Sequence, residues 1–437
     1  MTATAAERGS APAATDARGR HRVVVTGLGV QTPAGCDLDT FAETAWSGRS
    51  VARTVTRFDP ARLSSRIACE LPGFDPIRYV GAKAARRMDR FAQYAVAAAL
   101  DALGDAGEVP GSADRCAVVC GVGMGGHQTF YEQSVLSASP EGMGKVSPLL
   151  VPMIIPNSAS ALIAMELGWN GPALAVAAAC ASGTTAVGEA ARLIRCGEAD
   201  TVLAGGCDNG VTLLSMAAFC KLGALSRRNE EPSTASRPFD RTRDGYVMGE
   251  GAAFLVLERL DLALARGARV YGEVLGYAHN NDAHHITAPL PDGSRAAQCM
   301  RRAMADAGMT PADVGSVNAH GTSTPANDAM EARALHLVFG ERTPPVTAPK
   351  SVFGHLMGGA GAAEAVVAAL TVARGSVPPS ANFSEGDPGT SLDVVVERPR
   401  QLGARPVLSN SFGLGGHNAC LVLGPVAGAG AAGLSSC

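Results

Sequence analysis

Aromatic side chains are scarce: the 437 residues include 2 Trp and 6 Tyr, and aromatics make up 5% of the chain. Few platforms are therefore available for stacking bases, and a net charge of −3 supplies no basic field to attract nucleic acid. No apolar run is long and charge-free enough to span a bilayer. The 11 cysteines are an odd number, form no C-x-x-C pair and sit in apolar segments such as CAVVC over 116–120. This argues against a zinc ribbon or a disulfide framework and predicts a reduced, cytoplasmic protein. Residues 1–20 lack the apolar centre of a signal peptide, and Glu7 and Asp16 count against a transit peptide. A disordered tail is expected there, and a flexible one over 426–437.

Between those ends, 46% hydrophobic and 18% charged residues are enough for a large core. The chain is organised around 174–187, LAVAAACASGTTAV. Residues 175–178 read as a short, fully buried strand, and SGTT opens a helix. Cys180 then meets the unpaired N–H groups of a helix start, where a thiol ionises more easily and becomes a nucleophile. It reads equally as a small core hydrophobe until other segments are considered.

Strand-like runs begin at 21 (HRVVVTGLGV), 116, 201 and 252, and a second series follows at 271, 314, 346, 393, 406 and 419. Helical spacing covers 37–47, 83–103, 295–308, 326–339 and 359–374. Alternating strands and helices imply mostly parallel pairing, and two such series suggest a duplication with halves over 21–268 and 269–425. Residues 121–126, GVGMGG, match the dinucleotide fingerprint G-x-G-x-x-G after a strand. A nicotinamide oxidoreductase is nonetheless a distant alternative, because the sequence runs on into an irregular segment with Pro140, Gly142, Gly144, Pro148 and Pro152. The polar stretch 222–251 is too long for a simple connection and reads as a functional loop.

His320 closes a strand (SVNAH), where open α/β sheets place their sites. Lys350 and His355 share a glycine-flanked loop ahead of a helix carrying Glu364, and NSFGLGGHN over 410–418 is a third glycine-rich turn. Taken together, AACASG, NAHGTSTPAND, KSVFGHLMGGAGAAE and NSFGLGGHN resemble the motifs of β-ketoacyl-acyl carrier protein synthases of the elongating, Cys-His-His class. The resemblance extends through VTGLGVQTPAG, RPFDRTRDGYVMGEGAAFLVLE and NDAHHITAP, so it covers nearly all of 21–424.

The resemblance implies an α/β thiolase fold, with duplicated halves in a five-layered α-β-α-β-α sandwich, normally dimeric. It implies that Cys180 accepts an acyl chain from a carrier's phosphopantetheine, with an oxyanion hole made by the amides of Cys180 and Leu414. A malonyl-carrier then loses carbon dioxide, and His320 and His355 stabilise the enolate. Lys350 is implied to pair with Glu364 and orient the histidines. Thr287, Thr322 and Thr324 match pantetheine-contacting positions, and Met124, Phe219, Phe412 and Leu414 match the acyl pocket and gate. No metal or resident cofactor is expected.

The chain departs from the family pattern at Ala178, where Thr is frequent, and at Leu414, where Phe is usual; an unusual acyl chain is expected from the second. An acidic acyl carrier protein would be steered by Lys83, Arg86, Arg87, Lys221, Arg227 and Arg228. The assembly is expected to be a homodimer, or a heterodimer with a chain-length-factor-like subunit in a dissociated polyketide synthase.

Overall fold

The computed structural model describes residues 12–388 and 391–427. Its spine is a mixed sheet of β1 (Val23–Gln31), β2 (Cys116–Val122), β3 (Ala173–Val176), β4 (Thr201–Asn209) and β5 (Met248–Arg259), continued by β6 (Gly272–Asn281), β7 (Ser316–Asn318), β8 (Val346–Thr347), β9 (Val407–Gly413) and β10 (His417–Gly424). Their spatial order is β3-β2-β4-β5-β1-β6-β10-β9-β7-β8. Read outward from the antiparallel β1–β6 junction, both halves repeat one sequence: first, fifth, fourth, second, third strand. The duplication expected from the two series is therefore present as topology.

Strand alternation shows how the layers stack. On β2, Ala117 and Val119 belong to a central core, whereas Val118, Cys120 and Val122 pack with helix α1 (Arg90–Ala106). On β10, Ala419, Leu421 and Leu423 join the central core, and Cys420 and Val422 pack towards α3 (Ser294–Asp306) and α4 (Pro325–Phe339). Two helices fill the centre, α2 (Ser182–Arg195) and α5 (Ala360–Arg374). The result is an α-β-α-β-α sandwich. The central helices approach closely because glycine lines their contact. A Cβ on Gly183 would lie 2.6 Å from Ala362 N, and one on Gly361 would lie 2.2 Å from Thr184 Oγ1.

Several expectations are corrected. The sheet is mixed, because β5 runs antiparallel to β4 and β9–β10 is a hairpin. The helix expected over 83–103 is two, Ile77–Ala85 and α1, since Asp89 is extended and caps the second through Phe91 N. The strand near Cys180 is not fully buried: β3 is an edge strand, and Leu174 is 43% exposed. At 393–396 only a bridge between Val346 and Val394 forms. Within the expected tail over 1–20, residues 12–20 are held down: Arg18 and Arg20 both bind Asp306, and Asp16 accepts from Arg20. The remainder of that tail, and 428–437, lie outside the described residues.

Candidate active site

β3 ends at Val176, and a single 3-10 turn, Ala179–Ala181, leads into α2. Ala179 is held at φ +49°, so the backbone is strained immediately before Cys180. Ser182 braces the elbow, its Oγ accepting from Ala178 N at 2.8 Å and donating to Ala179 O at 2.7 Å. From the other half, the β9–β10 turn closes over this point. Gly413 is required there, because a Cβ would come 2.7 Å from Ala178 O and 3.1 Å from Cys180 N.

The structure brings the sequence-predicted triad together. His355 Nε2 lies 3.1 Å from Cys180 Sγ, and the His320 and His355 rings are edge-on at 5.7 Å. Each ring receives a donor at Nδ1: Met357 N at 3.2 Å for His355, and Lys350 Nζ at 3.1 Å for His320. That assigns the single proton of each neutral ring to Nε2. Burial, reinforced by the Lys350 ammonium, holds both imidazoles well below their ordinary pKa, so they are neutral Nε2–H donors.

Lys350 Nζ also binds His320 O at 2.7 Å and Glu364 Oε1 at 2.5 Å, in a fully buried pair. Burial raises the Glu364 carboxyl to about 7, while Lys350 opposes the shift. The expectation of an easily ionised thiol is corrected. Burial pushes Cys180 up to about 11, outweighing the Lys350 ammonium and the amides of Leu414 and Cys180 that reach the sulfur. Those two amides nonetheless converge on the sulfur.

A cavity of about 350 Å³ opens on this triad. Its polar side carries Thr287, Thr322 and Thr324, and its apolar side Phe219, Phe412 and Leu414. Thr322 and Thr324 hydroxyls are 3.0 Å apart, and Thr324 also caps α4 through Asn327 N. Phe412 lies edge-on to His320 at 5.7 Å. Met124 is not on the cavity wall; it packs behind Phe219, in the cluster of Met216, Met248 and Met357. None of the six basic residues singled out lines the cavity. Lys83, Arg86, Arg87, Lys221 and Arg227 are exposed, and Arg228 is half-buried and bound to Thr242 O.

Sequence reasoning missed the buried carboxylates that hold the loops. Asp208, at the end of β4, accepts from Gly123, Met124, Gly125 and Gly358 N–H groups. Glu331 accepts from His320 N and Gly321 N, and Asp328 from Thr322 N, Ser323 N and Phe239 N. Acidic residues inside apolar or helix-opening runs (AGGCD, NDAMEA) were the available signal. A helix, His127–Ser137, does follow the glycine run, contrary to expectation. What rules against dinucleotide binding is that Asp208 already occupies its amides. Among the described residues, no group of three or more His, Cys, Asp or Glu is arranged to hold a metal, and no helix is long and apolar enough to cross a membrane. The 222–251 stretch, expected as a functional loop, packs against the His320 segment through Ser323, which binds Arg237 N and Gly245 N.

A thiol at a helix entrance, two neutral imidazole donors and a tunnel from polar to apolar walls define a thioester-condensing enzyme of the thiolase fold. The β-ketoacyl synthase N-terminal domain matches residues 20–263, and the C-terminal domain matches 271–384. Among relatives, the chain is similar to "3-oxoacyl-[acyl-carrier-protein] synthase 2" of Synechocystis, 44% identical over 406 residues, 92% of this chain and 97% of the relative. Among solved structures it is similar to the ishigamide ketosynthase/chain length factor (39% identity, TM-score 0.85, 93% of this chain and 99% of that one). A second is a type II polyketide synthase acyl-carrier protein in complex with its hexaketide-bound ketosynthase (30% identity, TM-score 0.86, 93% and 100%). The chain belongs to the β-ketoacyl synthase family. It is an acyl-transferring condensing enzyme of fatty acid or polyketide synthesis.

Two outcomes follow from this geometry. Alkylation of Cys180 by iodoacetamide, followed by peptide mass mapping, should rise about tenfold per pH unit from pH 7 to 9 without a plateau, as a thiol titrating near 11 requires. Glu364→Ala, which strands a buried ammonium, should cost about 3–5 kcal/mol in urea unfolding. The double variant Lys350→Met/Glu364→Leu should cost less than that.

Proposed function

We propose that Cys180 carries the acyl chain and that His320 and His355 activate the malonyl unit through their Nε2–H groups. The observation that carries this reading is the 3.1 Å contact between Cys180 Sγ and His355 Nε2, with His320 against the same ring. As the protonated thiol attacks the acyl-carrier thioester, the carrier's C–S bond breaks and the thiol proton passes to the departing pantetheine sulfur, while His355 Nε2–H stabilises the negative charge that develops on Cys180 Sγ. The acyl carbonyl oxygen would point at the amides of Cys180 and Leu414, and the enolate oxygen at the two imidazoles. Lys350 is a positioning residue that holds His320 in the donor tautomer, and Glu364 neutralises Lys350. The three threonines would meet the amides of pantetheine. The substrate supplies the thioester, so the residues need no resident cofactor or metal.

The carrier is proposed to approach over the exposed cations: Lys221 and Arg227, which flank wall residues 222–224, and Lys83, Arg86 and Arg87 at the helix Ile77–Ala85. A partner subunit is proposed on the β3 edge. Among the described residues that strand is paired only with β2, and it and its neighbouring helices expose Leu174, Phe130, Val135 and Met165. A second copy of this chain or a chain-length-factor-like subunit would cover them. Leu414 at the gate, smaller than an aromatic ring, favours an unusual acyl chain and keeps the polyketide pairing as the second reading.

Intact-mass analysis after incubation with a panel of acyl carriers tests the reaction. Wild type should gain one acyl mass at Cys180, and Cys180→Ser should lose condensation; condensation at an undiminished rate in that variant would overturn the assignment. For the assembly, Leu174→Lys should convert the dimer to monomer in light scattering. An unchanged dimer would place the interface elsewhere.

A further inference from the structure

The backbone of His355 is fixed on both sides, its N–H donating to Val247 O at 2.9 Å and its carbonyl accepting from Gly249 N at 2.9 Å. Its ring has a choice of protonation. With Cys180 Sγ 3.1 Å from Nε2, a neutral imidazole can either donate Nε2–H to the sulfur or accept the thiol proton there. The group at the other nitrogen decides between the two. Met357 N–H reaches Nδ1 at 3.2 Å and reserves that atom as an acceptor. The donor tautomer that the malonyl unit requires therefore depends on where one backbone amide points.

That amide belongs to a residue in an unfavourable conformation. Met357 has φ +51°, in the left-handed region, where a side chain crowds the following carbonyl. The next N–H, that of Gly358, donates to Asp208 Oδ2 at 2.7 Å. The same oxygen accepts from Gly123 N at 3.0 Å, and Oδ1 accepts from Met124 N at 3.0 Å and Gly125 N at 3.3 Å. Asp208 thus joins the turn after β2 to the turn after His355. The two meet without slack, since a Cβ on Gly358 would lie 2.3 Å from Gly123 N. Asp208 is fully buried near the end of β4, so the anchor cannot follow a moving loop. Four donors converge on it, and a carboxylate, with acceptors on both oxygens and no hydrogen of its own, answers all of them.

We propose that Asp208 is a positioning residue for the condensation: by holding Gly358 N–H it keeps Met357 left-handed, and Met357 N–H keeps His355 in the Nε2–H tautomer that stabilises the enolate. This rests on the condensing role assigned to Cys180, His320 and His355. Asp208 acts through backbone amides alone. Without its carboxylate the Met357 amide turns away, Nδ1 takes up the ring proton, and a bare Nε2 accepts the thiol hydrogen. Such a ring still assists acylation, by taking the Cys180 proton as the sulfur attacks, but it has no hydrogen to offer the enolate oxygen.

Asp208→Asn, whose side-chain amide would set hydrogens against hydrogens, tests this in the intact enzyme. Release of carbon dioxide from malonyl-carrier should fall about tenfold, the population lost when a left-handed residue is no longer held. Acylation of Cys180, read by intact mass, should stay within about threefold, a split that a merely structural role would not produce. In nitrogen NMR of histidine-labelled protein, the His355 signal, identified by its loss in His355→Ala, should move from the Nε2–H to the Nδ1–H pattern. Met357→Gly supplies a second arm, because glycine takes the left-handed turn without strain. In that background the Asp208→Asn change should slow carbon dioxide release by about threefold or less. An unchanged His355 tautomer, equal losses in acylation and decarboxylation, or the same tenfold loss in both backgrounds would each overturn the proposal. If Asp208→Asn alone does not fold, the double variant compared with Met357→Gly decides by the same limit. A wild-type enzyme neither acylated at Cys180 nor able to release carbon dioxide would end the condensing role and this proposal with it. The His355 tautomer tells the two failures apart, because it shifts in Asp208→Asn only if the clamp exists.

Discussion

A single ammonium group, taken out of water, sets the terms for the rest of the site. Lys350 is 1% exposed at its side chain and meets three groups at once: a carboxylate, a backbone carbonyl and an imidazole nitrogen. Removing a cation from water is costly unless its hydrogen bonds are all met, and this one meets them only if Glu364, His320 and their elements stay in register. Burial keeps both imidazoles neutral and the same charge reinforces it, while that charge pulls against the burial that raises the Cys180 thiol. Structure and protonation state are thus consequences of one placement.

The loops around that charge are fixed by carboxylates working on backbone. Asp208, Glu331 and Asp328 each collect amide donors from turns that would otherwise be buried and unpaired. Burial raises Asp208 to about 6 and Glu331 to about 7, while the amides they accept pull the other way. The glycine-rich turns can bend to these anchors. The same anchoring explains why a run that spells a dinucleotide fingerprint has no amides left for a phosphate.

Much of this was legible before any coordinates. Motif segments around Cys180, His320, Lys350 and Glu364 point to the triad and its ion pair, because reactive residues framed by glycine and small side chains are hard to place blandly. The duplication was legible as two series of strands. What could not be read were features set by pairs distant in sequence. The edge position of β3 depends on which strands lie beside it, so an apolar run read as buried although part of it faces outward. The break at Asp89 is held by a carboxylate that accepts from Thr129 N as well as from Phe91 N, and helical periodicity runs through it. The thiol's raised pKa reflects packing density around Cys180, which local helix geometry does not reveal. Met124 does not line the cavity: its amide is tied to Asp208, and its side chain packs in the cluster that also holds Met216, Met248 and Phe219.

The hydrogen-sized side chains of Gly183 and Gly361 act as a ruler. They set how near α2 and α5 can come; the sulfur lies in the 3-10 turn that leads into α2, and its imidazole partner on the segment that leads through another such turn into α5. The walls that decide what enters, from Phe219 to Tyr246 and Leu414, are borne on other segments. Bond-making geometry and choice of cargo are therefore inherited from different parts of the chain, and one can drift through evolution while the other stands still.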